Sequence, residues 1–265
     1  MTEKAPATAM VGSHNEASLL KRCLPSVAFC DEVIVIDIAS DDDTVEVAHA
    51  HGARVLHHDW VPIAERARLD LVDEARHDWL LFLDPDEVLP PALATQLTAL
   101  IPTLQPDVAV VDCPWQFYFR EKPLRGTFWG GVNRKRTLAR RGGTELRPTV
   151  HSGTRLEPGF RGDVIEYSGD NAIAHYWAKG YRDLIDKHWR YLKLEGPDRV
   201  SQGMVTGYKD IARTPGTAFW ESFVRRRGYQ DGLDGLLLSL LWSAYATGAK
   251  IALLLELRRR YGGAP

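Results

Sequence analysis

Three carboxylates, Asp84, Asp86 and Glu87, close the stretch Trp79 to Glu87, WLLFLDPDE. Two aspartates flanking a single residue can share a divalent cation, because hard cations take carboxylate oxygens. The same letters also suit a surface turn, since Asp-Pro-Asp is ordinary turn chemistry. The preceding residues bear on that choice. Trp79 to Leu83 is an apolar run without alternation, the pattern of a strand buried on both faces, as in a parallel sheet. Parallel sheets take their ligands at the carboxyl ends of the strands, which is where these carboxylates fall.

The elements upstream repeat that arrangement. Ala7 to Gly12 reads as a short strand running into Ser13-His14-Asn15-Glu16. A helix from Ala17 to about Phe29 follows, with Leu19, Leu20, Leu24 and Val27 on one face. Val33 to Ile36 is a second β-branched run, ending in Asp37. Ser40-Asp41-Asp42-Asp43-Thr44 caps a helix from Val45 to about Ala50, because capping oxygens precede an apolar run. Gly52 closes that helix, Arg54 to Leu56 is a third strand, and Ile63 to Ala75 a charged helix. Alternating strands and helices with carboxylates at strand ends predict a doubly wound nucleotide-binding sheet. With no GxGxxG and no GxxxxGK[ST], ordinary dinucleotide and P-loop binding are disfavoured.

The chain has 265 residues, 45% hydrophobic and 26% charged, which excludes a disordered or fibrous protein. Its net charge of −2 is unevenly spread. Residues 1–119 carry 7 Lys/Arg against 20 Asp/Glu, and residues 120–161 carry 11 against 3. An acidic half and a compact basic stretch suit one surface that holds a cation and another that faces an anionic partner, or two patches that complement each other. Cys23, Cys30 and Cys113 have no metal-type spacing and fit a reducing compartment. The N-terminus lacks an apolar signal core, so the expected location is cytoplasmic.

The second half differs in kind. Pro90 to Leu100 reads as a helix and Val108 to Val111 as a strand. Residues 113–135, CPWQFYFREKPLRGTFWGGVNRK, interleave aromatics with basic residues. Nucleic-acid stacking, a sugar or nucleotide pocket, and a β-rich core all fit that pattern. Thr149-Val150-His151-Ser152 is a short strand-like piece with one histidine. Ala178 to Leu194 has helical spacing and is expected to end before Gly196-Pro197. Leu236 to Leu255 approaches the length of a membrane span, but Lys250 sits well inside it. A helix on the membrane surface with basic flanks, a buried packing helix and a homodimer seam remain open.

Taken together, His14-Asn15-Glu16, Val33 to Asp37, Ser40 to Thr44 and Trp79 to Glu87 resemble glycosyltransferase family 2, in family order across residues 7–87. Tyr118 to Gly126, Trp129, Arg140-Arg141, Val150-His151, Gly228 to Gly232 and the last helix with Tyr245 and Lys250 look like its lipopolysaccharide-core β-glucosyltransferases. The resemblance implies an α/β protein. A GT-A domain with a mixed sheet would span residues 5–175, and a helical C-terminal extension residues 176–265. It implies inverting transfer of a hexose from a nucleotide sugar, UDP-linked, to a saccharide of a cell-envelope glycan or lipopolysaccharide core. Mg²⁺ or Mn²⁺ would serve as cofactor, and no nucleic acid would be bound. Work at the inner face of the cytoplasmic membrane, with peripheral contact, goes with such an acceptor.

The family's roles carry over residue by residue. Asn15, Glu16, Asp37, Ser40 and Asp42 would line the nucleotide cleft, with Arg66 or Arg68 on the phosphates. Asp84 would sit near the ribose and metal shell and Asp86 on the metal, with His151 a further contact. One departure stands out: the similar enzymes follow Val-His with Glu, and here it is Ser152. Transfer to a hydroxyl needs a group to take its proton, and Glu145, Asp163 and Asp112 are the replacement candidates. A phosphate acceptor needs no base, so transfer to a polyprenyl phosphate is the alternative. A sugar-phosphate nucleotidyltransferase would carry a Gly-rich basic loop after the first strand, and this chain has none. A non-catalytic nucleotide or sugar binder is the reading of another class.

Overall fold

The computed structural model describes residues 4–146 and 154–262, so His151 and Ser152 lie outside the described residues. The chain divides into two compact units, 1–116 with 132–175, and 117–131 with 176–265. Residues 117–131, expected within the first domain, group with the C-terminal helices.

The first unit begins with β1 (Ala5–Ser13), α1 (Ala17–Ser26), β2 (Cys30–Ile38), α2 (Thr44–Ala50), β3 (Arg54–His58), α3 (Ala64–Leu71) and β4 (Trp79–Leu83). It continues with β5 (Glu87–Val88), α4 (Pro91–Leu100) and β6 (Val108–Phe119), whose last residues enter the second unit with β7 (Lys122–Pro123). After β8 (Val132–Arg140) come the hairpin strands β9 (Thr144–Leu146) and β10 (Thr154–Leu156), then β11 (Arg161–Val164) and β12 (Ile173–Ala178). The sheet order is β3-β2-β1-β4-β8-β6-β12-β5, with β11 also paired to β6. β3, β2, β1 and β4 run parallel, and β8 enters antiparallel to β4, which makes the sheet mixed.

Alternating side chains build a core on each face. Val11, Leu81 and Leu83 pack with Leu20, Leu24 and Leu93 on the face of α1 and α4. Met10, Ile34, Ile36, Leu80 and Phe82 pack with Ala67 of α3 on the other. A strand that must be apolar at every position reads as an unbroken run, which is why β4 falls on Trp79–Leu83 as expected. β6 runs on past the expected Val111 through a bulge between Val111 and Asp112.

The second unit holds α5 (Tyr181–Ser201), α6 (Tyr208–Phe219) and α7 (Gly232–Tyr261). α5 does not stop at Gly196-Pro197; it runs through both to Ser201. Proline deletes one helical hydrogen bond, and packing on α7 offsets the loss. At Gly196 a Cβ would stand 2.8 Å from the carbonyl oxygen of Ala252, so the two helices touch backbone to backbone there. Asp231 ends the turn before α7 and accepts the backbone N–H groups of Arg125 (2.9 Å) and Gly126 (2.8 Å). That gives the Gly228 to Gly232 and Tyr118 to Gly126 motifs a shared structural role inside this unit.

Candidate active site

Strand order reverses between β1 and β4. The chain winds outward through β2 and β3, then returns to place β4 on the other side of β1. Such a switch point opens a crevice at the carboxyl ends of the strands. In register, Ser13 lies beside Asp37, Asp37 beside His57, and Val11 beside Leu83, so the loops after β1, β2 and β4 share one edge.

The loops after β1 and β2 are stapled together. Asn15 adopts a left-handed backbone, φ 57°, which asparagine tolerates better than most residues. Its Oδ1 accepts the Asp41 N–H at 2.8 Å, and Ser40 Oγ accepts the Asn15 N–H at 3.1 Å. Asp42 accepts the N–H groups of Ala17 (3.1 Å) and Thr44 (3.0 Å) and the Thr44 hydroxyl. The Glu16 N–H goes to Thr44 Oγ1 at 3.2 Å. Asp37 is buried, accepting the Ser40 N–H at 3.1 Å and facing His57 Nδ1 at 3.1 Å. Asn15, Glu16, Asp37, Ser40 and Asp42 are thus brought together. The side-chain oxygens of Asn15, Ser40 and Asp42 hold the shape of the cleft wall.

At β4, the Asp-Pro-Asp turn is present and directly follows the buried strand. Asp84 to Glu87 is a turn, closed by the Glu87 N–H on the Asp84 carbonyl at 2.9 Å, and that turn sits at the carboxyl end of a buried strand. Glu87 is fully buried beneath it. Its carboxylate accepts the Asp84 N–H (2.9 Å), the Trp115 indole N–H (2.6 Å) and the Lys135 ammonium (2.6 Å). Glu87 therefore fixes the turn that presents the two aspartates.

Asp84 lies between two cations, Arg68 at 2.8 Å and Lys135 at 3.0 Å. Burial pushes its carboxyl up, and Lys135 and Arg68 outweigh that, holding it well below the usual carboxylate range. Burial likewise works against the charges on Lys135 and Arg68, and the carboxylates beside them raise both. Arg68 is itself buried, anchored on the Leu83 carbonyl at 2.7 Å, and its Nε finds no partner among the described residues. Asp86 Oδ2 lies 3.2 Å from His175 Nε2, and the His175 ring stacks on Trp115 at 4.9 Å.

The structure thus gathers Asp84, Asp86 and Arg68 with Lys135, Glu87, Trp115 and His175. Arg66 instead pairs with Asp70 at 2.9 Å one helical turn away. Lys135 belongs to the basic and aromatic stretch 113–135, for which a sugar or nucleotide pocket is one expectation, whereas nothing in the sequence points to His175. Lys135 arrives on antiparallel β8, and His175 through the β5·β12 pairing, where it faces Glu87 in register. Glu145 is placed elsewhere. β8 runs against β4 and sets Arg140 beside Trp79, so the β9·β10 hairpin leaves the sheet at the edge opposite Asp84. Asp163 pairs with Val111, three strands from β4 and about 14 Å across the sheet at ordinary strand spacing. Asp112 pairs with Arg136 at 3.3 Å. None of the base candidates joins the cluster, and His151 lies outside the described residues.

Does this donor set suit a divalent cation? Among the described residues no three His, Cys, Asp or Glu side chains are arranged to enclose a metal alone. A Mg²⁺ or Mn²⁺ site on a phosphate substrate needs one or two carboxylates, with phosphate oxygens and water completing the shell. Asp84 and Asp86, with an imidazole at Asp86, fit that kind of shared site.

Comparison with known proteins places this geometry. The sequence pattern of "Glycosyl transferase family 2" matches residues 8–157. An uncharacterized glycosyltransferase of Rickettsia bellii (strain RML369-C) is 26% identical over 256 residues, 94% of this chain and 86% of that protein. The lipopolysaccharide core biosynthesis glycosyltransferase LpsC of Rhizobium meliloti (strain 1021) is 24% identical over 264 residues, 95% of this chain and 93% of that protein. Among solved structures, the mannosyltransferase PcManGT from Pyrobaculum calidifontis, in complex with GDP-Man and Mn²⁺, superposes with TM-score 0.55 at 15% identity. That match covers 96% of this chain and 88% of that one. It is a likeness of fold, the GT-A arrangement of a mixed sheet with flanking helices.

Proposed function

The chain belongs to glycosyl transferase family 2, and from that premise we propose that it transfers a hexose from a nucleotide sugar to a saccharide of a cell-envelope glycan, with inversion. The carrying observation is the turn at the end of β4, where Asp84 and Asp86 stand between Arg68, Lys135 and His175. The name of the LpsC relative supports a lipopolysaccharide-core acceptor. A UDP-linked donor is the expectation drawn from the family resemblance.

Asp86 with His175, and Asp84 beside them, would hold a divalent cation. When bound, it supplies Lewis-acid stabilisation of the departing diphosphate, worth several kcal/mol of barrier. The chain's own residues do the rest. Glu87 and Lys135 fix the turn, so that the aspartates meet the donor already oriented. Arg68 and Lys135 keep Asp84 ionised and add positive charge where the departing diphosphate gains negative charge. The acceptor hydroxyl oxygen attacks the anomeric carbon on the face opposite the diphosphate, so one bond forms as the other breaks, the nucleoside diphosphate leaves and the hydroxyl proton passes to solvent.

The test is incubation with a panel of nucleotide sugars and Mn²⁺, following slow donor hydrolysis and then transfer to core saccharide. One donor should be consumed with a glycosylated saccharide as product. Failure to turn over any donor would overturn the proposal. A sugar linked to a lipid phosphate as product would move the acceptor to the polyprenyl-phosphate class.

A further inference from the structure

α7 is more apolar than its own unit covers. Within residues 228–261 the most apolar window has mean hydropathy 1.4, and 28% of that window is buried. One side of the helix, with Leu238, Ser243, Ala249 and Leu253, is buried inside the unit. The other side repeats Leu233, Leu240, Ala244, Ile251 and Leu255, all exposed. Steps of seven, four, seven and four residues keep these on one helix face, about 33 Å long at 1.5 Å per residue. α5 widens the face: Ile185 and Trp189 are exposed, and with Ala244 and Gly248 of α7 they line a groove of about 330 Å³.

We propose that this face docks the protein on an anionic lipid bilayer. Charge selects the occupant. The second unit carries 18 Lys/Arg against 10 Asp/Glu, net +8, whereas the first carries 15 against 25, net −10. Arg258, Arg259 and Arg260 are exposed at the end of α7, and α5 presents exposed Arg182, Arg190 and Lys193. Basic groups around an apolar stripe are what an anionic surface attracts. Trp189, 63% exposed, is the amphipathic ring that sits at headgroup level. A second copy would bring like charge against like charge. A spanning helix would carry Lys250 and Glu256 into hydrocarbon, where charged side chains are costly. α7 therefore lies in the plane of the surface.

The experiment sediments the full-length protein with phosphatidylcholine vesicles and with mixed phosphatidylcholine–phosphatidylglycerol vesicles, at low and high salt. Binding should be about tenfold tighter on the mixed vesicles at low salt, in line with basic residues near an anionic surface. Ile251→Glu/Leu255→Glu should weaken it by about tenfold through lost apolar insertion. Both side chains are exposed, so the circular-dichroism melting curve should stay in place. Should that variant melt early, Arg190→Gln/Lys193→Gln carries the test, with loss of the anionic preference expected. Equal binding to both vesicles, or binding unchanged in the variants, would overturn the proposal. So would a dimer that Ile251→Glu/Leu255→Glu dissociates, or a protein that resists alkaline carbonate extraction from membranes. Vesicle binding is read without any donor, so this outcome is independent of the proposed transferase reaction.

Discussion

At the scale of the residue, the site is a problem of like charges solved by two cations. Asp84, Asp86 and Glu87 cannot stand so close unless something offsets their repulsion, and Lys135 bridges Asp84 and Glu87 while Arg68 takes the other oxygen of Asp84. Glu87 is the buried member. Breaking a buried pair from one side strands a charge and costs about 3–5 kcal/mol, whereas removing both partners costs far less. Lys135→Met should therefore destabilise the protein by that order in urea unfolding, and Lys135→Met/Glu87→Gln should recover much of the loss. Additive effects of the two substitutions would refute the coupling. The two aspartates were legible in the sequence because turn and strand are contiguous. The pairing of Lys135 with these carboxylates and the arrival of His175 were not, because β8 and β12 deliver them from distant positions, and Lys135 is marked only as one basic residue of the stretch 113–135.

At the scale of the element, local pattern carried furthest where packing is simplest. β4, buried on both faces, announces itself as an apolar run, and the caps and carboxylates at the ends of β1 and β2 are contiguous with their strands. α5 shows the opposite case, since its passage through Pro197 depends on a partner helix that the local sequence does not name. Gly196→Val should test that contact. The added side chain would meet the Ala252 carbonyl, and overpacking of this kind costs about 1–3 kcal/mol. A lowered melting temperature is expected, and an unchanged one would deny the close approach. In β2, Glu32 gathers the Thr8 hydroxyl (2.7 Å), the Arg76 N–H (2.7 Å) and Arg54 (3.1 Å), tying three strands together. Burial opposes its ionisation, and the Arg76 N–H and Thr8 hydroxyl outweigh burial and hold the carboxyl below its ordinary value. A depressed folded value means stability that is present above the unfolded pKa, about 4.3, and lost as pH falls through the folded one. Glu32→Gln should thus cost about 1.5–3 kcal/mol near neutral pH, with the difference from wild type shrinking below about pH 4. A difference constant across that range would contradict the assignment.

At the scale of the whole molecule, the net charge of −2 hides two units of opposite sign. The sequence placed its basic stretch at 120–161, but β8 carries Lys135 and Arg136 into the acidic unit, while the helices supply most of the positive charge of the other. That redistribution was not legible, because a contiguous count of charges does not follow a chain that leaves one unit and returns to it. For an acidic unit that must receive an anionic diphosphate, cations at the site become a requirement, which Arg68, Lys135 and a metal on Asp86 would meet together. On the proposed function, the β4 turn binds a nucleotide sugar through a divalent cation. The most direct test of that binding is donor hydrolysis with Mn²⁺, measured as kcat/KM for wild type and Asp86→Ala, with the melting temperature as a check on folding. We predict a loss of about 10²-fold or more, the order of several kcal/mol of Lewis-acid stabilisation, and little residual dependence on Mn²⁺. Wild-type turnover in Asp86→Ala, with its Mn²⁺ dependence intact, would contradict the account.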